Sequence, residues 1–292
     1  MADPGADADV VVGVDGSQPS RRALGWAARE ASRRGVTLRV AHAYPTEVAL
    51  AAPGDSPRLH GAAERLLARD VDRARELAGG VTVVPALVDG PPAAVLVHES
   101  ERASLLVVGG RGQGGFAGLL LGSTAVNVAA RAACPVVVMP REGAAAPNGV
   151  ADGPVVVGTD TSSTADRAME FAFARARDRG ARVVAVYAWQ LPGSYSAYLA
   201  RELLRTEDSR AERDARTLLA DASAPWQRRY PALDVQRRAV LGHPVGALAE
   251  ASSTAQIVVV GSRGSGPLTG MLLGSVSHGL LRHAQCPVVI AR

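Results

Sequence analysis

The residues best suited to chemistry fall in two spaced glycine sets. Gly109-x2-Gly112-x9-Gly122-Ser123, followed by Thr124, recurs as Gly261-x2-Gly264-x9-Gly274-Ser275, followed by Val276. Glycine has no Cβ, so backbone N–H groups in such a segment can approach an anion closely. Gly122-Ser123 and Gly274-Ser275 sit where a helix should open, and the partly positive end of a helix, with its unpaired amides, favours phosphate. Each set also has an arginine, Arg111 or Arg263, and each is accompanied upstream by a short apolar run ending in a carboxylate: Gly13-Val14-Asp15 and Gly158-Thr159-Asp160. A carboxylate is badly placed for phosphate but can accept hydrogen bonds from sugar hydroxyls or the amine edge of a base.

These groups come in pairs because the chain is duplicated. Val12-Gly13-Val14-Asp15 and Val157-Gly158-Thr159-Asp160 lie 145 residues apart, whereas Gly122-Ser123 and Gly274-Ser275, and Cys134-Pro135-Val136-Val137 and Cys286-Pro287-Val288-Val289, lie 152 apart. The second copy thus carries seven extra residues between the Ala43/Ala188 and Gly90/Gly242 regions. A period this long signals a repeated domain rather than a solenoid. The expected boundaries are 1–141 and 154–292, with 142–153, rich in Gly, Ala and Pro, as the linker.

In each copy, apolar β-branched runs alternate with helix-period segments. In the first, strands are expected at Val10–Val14, Leu38–Ala43, Val81–Val88, Leu105–Val108 and Val136–Met139. Helices are expected at Ser20–Arg34, Pro57–Leu77, Ala93–Glu101 and Ala125–Ala132. This pattern predicts an α/β protein of two tandem doubly wound domains, each a five-stranded parallel sheet in the order 3-2-1-4-5 with helices on both faces. Strands one and four then flank the crevice where such sheets bind ligands, and both unusual segments fall there.

Composition narrows the chemistry. All 32 basic residues are arginine, so neither a P-loop lysine nor a Schiff base is available. The net charge of +4 comes from arginines interleaved with acids, as in Glu212-Arg213-Asp214, and only 4% of residues are aromatic, which argues against nucleic acid as a partner. No apolar run is long enough to span a bilayer, and the acidic start lacks a signal-peptide pattern; the expected location is the cytoplasm. Two cysteines, each before a proline at a strand start, are expected to be buried structural thiols. The six histidines have no metal-ligand spacing, and His42 is aligned with Tyr187, which favours a crevice-wall role over catalysis.

The two glycine sets, the strand-one aspartates, the Gly90-x-Pro92 and Gly242-x-Pro244 turns and the closing Cys-Pro-Val-Val strands together resemble the ATP-binding universal stress proteins, in the tandem arrangement common in actinobacteria. The resemblance covers nearly the whole chain. It implies one adenine-nucleotide site per domain, with ATP as ligand and Mg²⁺ brought by the nucleotide rather than held by a protein cluster. Gly13, Val14, Asp15 and, by its backbone, Ala43 would hold the adenosine; Gly109, Arg111, Gly112, Gly122, Ser123 and Thr124 would hold phosphate and ribose. Gly158, Thr159, Asp160, Ala188, Gly261, Arg263, Gly264, Gly274, Ser275 and Val276 match the same roles in the second copy. Departures are small: Gly110 stands opposite Ser262, Thr124 opposite Val276, and Gln113-Gly114-Gly115 adds flexibility. The resemblance further implies a nucleotide-dependent role in growth arrest or stress survival, an unknown regulatory protein partner, pairing of the last strands of the two halves as a pseudo-dimer, and a homodimer. Two alternatives remain: a slow ATPase or ATP-pyrophosphatase-like enzyme, and a scaffold that binds no nucleotide. Asp15-Gly16-Ser17-Gln18-Pro19 does not match the Ser-Gly-Gly-x-Asp-Ser loop of the pyrophosphatases.

Overall fold

The computed structural model describes residues 8–44, 56–112, 121–141, 143–146, 148–190, 210–264 and 272–292. The chain divides into two compact units: residues 1–148 with 287–290 and 292, and residues 149–286 with 291.

Unit 1 is built on strands β1 (Asp9–Gly13), β2 (Leu38–Tyr44), β3 (Val83–Asp89), β4 (Ala103–Val108) and β5 (Val136–Val138). They lie in the order 3-2-1-4-5, all parallel. The central strands are apolar on both faces: Val10, Val11, Val12 and Leu105 to Val107 are completely buried, as strands covered by helices on both sides must be. The helices are α1 (Gln18–Arg34), α2 (Ser56–Leu77), α3 (Pro92–Glu99) and α4 (Ser123–Arg131). Helix α1 starts where the Ser17 side chain accepts from the Ser20 N–H at 3.2 Å. It stops at Gly35, which takes the left-handed φ of 67° and closes the helix onto Ala31 and Ser32. Residues Val288–Ile290 also belong to this unit and run antiparallel to β5, in register Val288↔Val138 to Ile290↔Val136. That pairing covers an edge that would otherwise expose a row of backbone donors and acceptors.

Unit 2 repeats the plan with β6 (Val155–Gly158), β7 (Val183–Trp189), β8 (Val235–Leu241) and β9 (Ile257–Gly261), again parallel, in the order 8-7-6-9. Ala291, in the last strand β10 (Val288–Ala291), accepts from the Ser262 N–H at 3.1 Å. Its helices are α5 (Ser163–Arg179), α6 (Arg210–Arg229), α7 (Pro244–Ala251) and α8 (Ser275–His283). Helix α5 uses the same devices as α1: Ser162 caps the Ala165 N–H at 3.3 Å and Gly180 ends the helix at φ 60°. The seven extra residues fall in a stretch of which 191–209 lies outside the described residues. Among the described residues no helix is long and apolar enough to cross a membrane.

Candidate functional site

The carboxyl ends of β6 and β9 open into a crevice of ≈ 620 Å³, within the usual size range of small-ligand pockets. All ten positions expected from the second copy line it: Gly158, Thr159, Asp160, Ala188, Gly261, Arg263, Gly264, Gly274, Ser275 and Val276. One end of the crevice is apolar, made by Val186 and Ala188 of β7, Val260 of β9 and Pro244 and Leu248 of α7. The other is made of the N-termini of two helices: Ser162, Ser163 and Thr164 at the start of α5, and Ser275, Val276 and Ser277 at the start of α8.

The glycines earn their places by close approach. A Cβ on Gly158 would lie 2.8 Å from Leu248, so this glycine makes room for the apolar wall rather than for a ligand. A Cβ on Gly261 would lie 2.8 Å from the Thr164 carbonyl, and one on Gly264 2.7 Å from Asp160 Oδ2. The glycine segment therefore packs directly on the β6–α5 turn. The Gly274 N–H donates to the Ser262 carbonyl at 2.8 Å, fixing the two ends of the segment together. That bond takes the Gly274 amide, so Gly274 shapes the site rather than donating into it. The first amide used within α8 is that of His278, donating to the Gly274 carbonyl at 2.9 Å. The amides of Ser275, Val276 and Ser277 precede it and have no acceptor among the described residues, which leaves the helix end as a ready anion donor set. Asp160 is held in place by Ser162, whose N–H and hydroxyl both reach Oδ1, at 3.1 and 2.5 Å. The Ser277 hydroxyl donates to the Gly261 carbonyl at 2.7 Å.

Unit 1 brings its expected residues together in the same pattern. A Cβ on Gly13 would lie 2.7 Å from Leu96 of α3, and one on Gly112 would collide with Asp15 Oδ2. Gly109 packs on the backbone of Pro19 and Ser20, where a Cβ would approach to 3.0 Å. Asp15 Oδ1 accepts from the Ser17 N–H at 2.9 Å. The Gly122 N–H donates to the Gly110 carbonyl at 2.8 Å and Val126 is the first amide taken up by α4, so Ser123, Thr124 and Ala125 present the corresponding donors. Arg111 lies between Gly110 and Gly112 at the mouth of this turn, its Cα 3.4 Å from where a Gly122 Cβ would be. Val14 and Thr159 donate their amides to Ala41 and Val186, at 2.9 and 3.0 Å. Ala43 lies in β2 opposite Val88, near the strand's carboxyl end. His42 Nδ1 lies 2.7 Å from the Val14 carbonyl, pinning the end of β1 and giving that ring a supporting role in the wall. Both cysteines are buried free thiols, and burial pushes each up to about 12, far from reactive.

Leu248, Pro244 and Val260, and the hydroxyls of Ser162, Ser163, Thr164 and Ser277, were not expected at the site. The Gly242-x-Pro244 turn was a visible signal: a fixed turn ahead of a short helix implies that the helix's first face is aimed at something. The α5 hydroxyls had no counterpart to signal them, since Gln18 and Pro19 stand at the equivalent positions of unit 1.

Fold and site together define a doubly wound α/β architecture with the ligand-sized crevice at its strand ends, on a plan duplicated in one chain. Residues 8–140 and 153–292 each match the Universal stress protein family, and the chain belongs to it. The chain is 38% identical over its whole length to Universal stress protein Rv2005c of Mycobacterium tuberculosis H37Rv, covering 99% of that protein. It is 35% identical to Universal stress protein Rv2623 of the same organism, again over 100% of this chain and 99% of the relative. Its fold is similar to the crystal structure of a universal stress protein from Archaeoglobus fulgidus DSM 4304, with a TM-score of 0.70 at 22% identity, covering 98% of this chain and 96% of that one.

Proposed function

We infer that each half holds one adenine nucleotide, ATP with its accompanying Mg²⁺, and that occupancy governs a regulatory role in growth arrest or stress survival. One observation carries this reading. A single crevice joins an apolar end to a helix N-terminus with unpaired amides, and Asp160 stands on its wall. The apolar walls of Val186, Ala188, Val260 and Leu248 suit a flat base. The carboxylates of Asp160 and Asp15 suit ribose hydroxyls or the base edge. The amides of Ser275 and Val276, and of Ser123 and Thr124, suit the phosphates, with Arg263 and Arg111 as the basic side chains of each segment. Gly13, Gly109, Gly112 and Gly122, with Gly158, Gly261, Gly264 and Gly274, act by leaving space. Val14, Thr159, Ala43 and Ala188 complete the base walls.

Asp160 is the one carboxylate among the described residues that line the crevice. That supports a binding protein whose ATP turnover stays below about one per second, the lower end of ordinary enzymes. We further take 1–141 and 154–292 as the two domains, the cytoplasm as the location, and a homodimer with an as yet unidentified protein partner as the working form.

Equilibrium dialysis with ATP tests the reading. The wild type should bind two nucleotides per chain, and Asp15→Ala and Asp160→Ala should each weaken one of them by about tenfold, the worth of a charge-assisted hydrogen bond. Unchanged affinity in the double variant would remove the assignment.

A further inference from the structure

The two halves differ where the first helix of each packs on the glycine segment. In unit 2 the Thr164 hydroxyl donates to the Arg263 carbonyl at 2.6 Å, tying the first turn of α5 to the point where the segment leaves β9. Thr164 also lines the crevice, together with Ser163, and as the second residue of α5 it brings an amide that no helical carbonyl uses. At the equivalent place unit 1 has Pro19, which has neither a hydroxyl nor an N–H. Residue 19 can therefore form no such tie and adds no donor. Next to it, unit 1 has Gly110 where unit 2 has Ser262. A glycine there has more backbone freedom to give up when a ligand fixes it than a serine has.

We propose that Thr164 is a positioning residue that preorganises the polyphosphate end of the unit 2 crevice, making it the tight site, while unit 1, with Pro19, is the weak one. The two sites then fill at different nucleotide concentrations, and the chain reports a graded rather than an all-or-none nucleotide level. This rests on the adenine-nucleotide reading above and deepens it. The tie acts on the segment that meets phosphates and not on the apolar end that meets the base. Its effect therefore falls on ATP and spares adenosine.

Calorimetric titration of the full chain separates the possibilities, with ATP and adenosine as probes and with Asp15→Ala and Asp160→Ala, each of which weakens one half about tenfold, used to assign the two sites. The unit 2 site should bind ATP about 3- to 10-fold more tightly than the unit 1 site, the worth of one hydrogen bond and its ordering. Thr164→Val should remove most of that advantage for ATP and leave adenosine affinity unchanged; Thr164→Ser should retain it. Pro19→Thr should tighten ATP binding in unit 1. Equal ATP affinities in the two halves would overturn the proposal, as would a Thr164→Val variant that weakens ATP and adenosine alike. Absence of ATP binding in both halves would instead refute the nucleotide reading on which it stands.

Discussion

The two halves share a plan but bury the same spot in different ways. In unit 1, Arg39 of β2 reaches Glu99 of α3 at 2.6 Å, and the Glu99 side chain is only 4% exposed. In unit 2 the equivalent positions are Val184, 2% exposed, and Ala251. Close by, both halves keep one polar device unchanged: Ser100 accepts from the Ala133 N–H and Ser252 from the Gln285 N–H, each at 2.8 Å. What persists is therefore a bond to a backbone group that cannot be deleted. The side-chain pair is replaceable by apolar volume, consistent with ion pairs that roughly break even against a hydrophobic substitute.

Several substitutions sharpen that contrast. Glu99→Ala leaves the Arg39 guanidinium in a largely closed site and should cost about 2 to 3 kcal/mol in urea unfolding of unit 1. Adding Arg39→Val, which installs the pair unit 2 already uses, should recover most of the loss. A double variant as unstable as the single one would mean that the halves are not interchangeable here.

Asp70 is the next largest case. It is 9% exposed on α2, and its Oδ2 has no hydrogen-bond partner. Burial pushes its carboxyl above the ordinary value and Asp15 adds to this, against the opposing pull of Arg21, Arg69 and His42. Unit 2 has Ala222 at the matching place. The folded state holds this proton more tightly than the unfolded chain, so the residue's stability contribution is fully present below the unfolded value and is lost as pH rises through the folded one. Asp70→Ala should raise stability by about 1 kcal/mol at neutral pH. The gain should shrink as pH falls and disappear below about pH 3, where both states are protonated. A gain that is constant with pH would assign the effect to packing alone.

A smaller effect is expected at the turn after the first strand of each copy. Gly16 takes φ 77° and its counterpart Thr161 takes φ 63°. Left-handed backbone is strained for a β-branched residue and free for glycine. Thr161→Gly should stabilise unit 2 by about 0.5 kcal/mol, the strain relieved less the extra entropy lost by glycine. Thermal unfolding of that variant is the check. Smallest of all, Cys134 and Cys286 should show almost no alkylation by iodoacetamide at neutral pH until the chain unfolds, because their buried thiols stay protonated.

The fold was legible because duplication doubled each signal. A strand such as Val10 to Val12 is a short apolar run on its own, but its repetition at Val155 to Val157, each time before a serine-capped helix that ends at glycine, leaves little freedom in the reading. The crossover rules gave a parallel sheet, whereas the order 3-2-1-4-5 was supposed rather than read from residue pattern. The antiparallel pairing of Val136–Val138 with Val288–Ile290 was expected from the resemblance and not from residue pattern. At the site, positions marked by unusual residue types, the glycines and aspartates, could be named in advance. Leu248 and Leu96 could not, because a leucine in the middle of a short apolar helix looks like core. Nor could Asp70, whose burial depends on how α2 packs and which appears in the sequence as one more acid among Arg69, Asp72 and Arg73. The Thr164 tie was hidden for the same reason: its partner is a backbone carbonyl 99 residues away.

The central claim is that paired glycine segments and helix ends form one polyphosphate-binding crevice in each half. Native mass spectrometry of the full chain titrated with ATP tests it most directly. The account predicts two successive mass increments of one nucleotide per chain, one of them shifted to about tenfold higher ATP in Asp160→Ala and the other in Asp15→Ala. A chain that stays at its unliganded mass through millimolar ATP would contradict it.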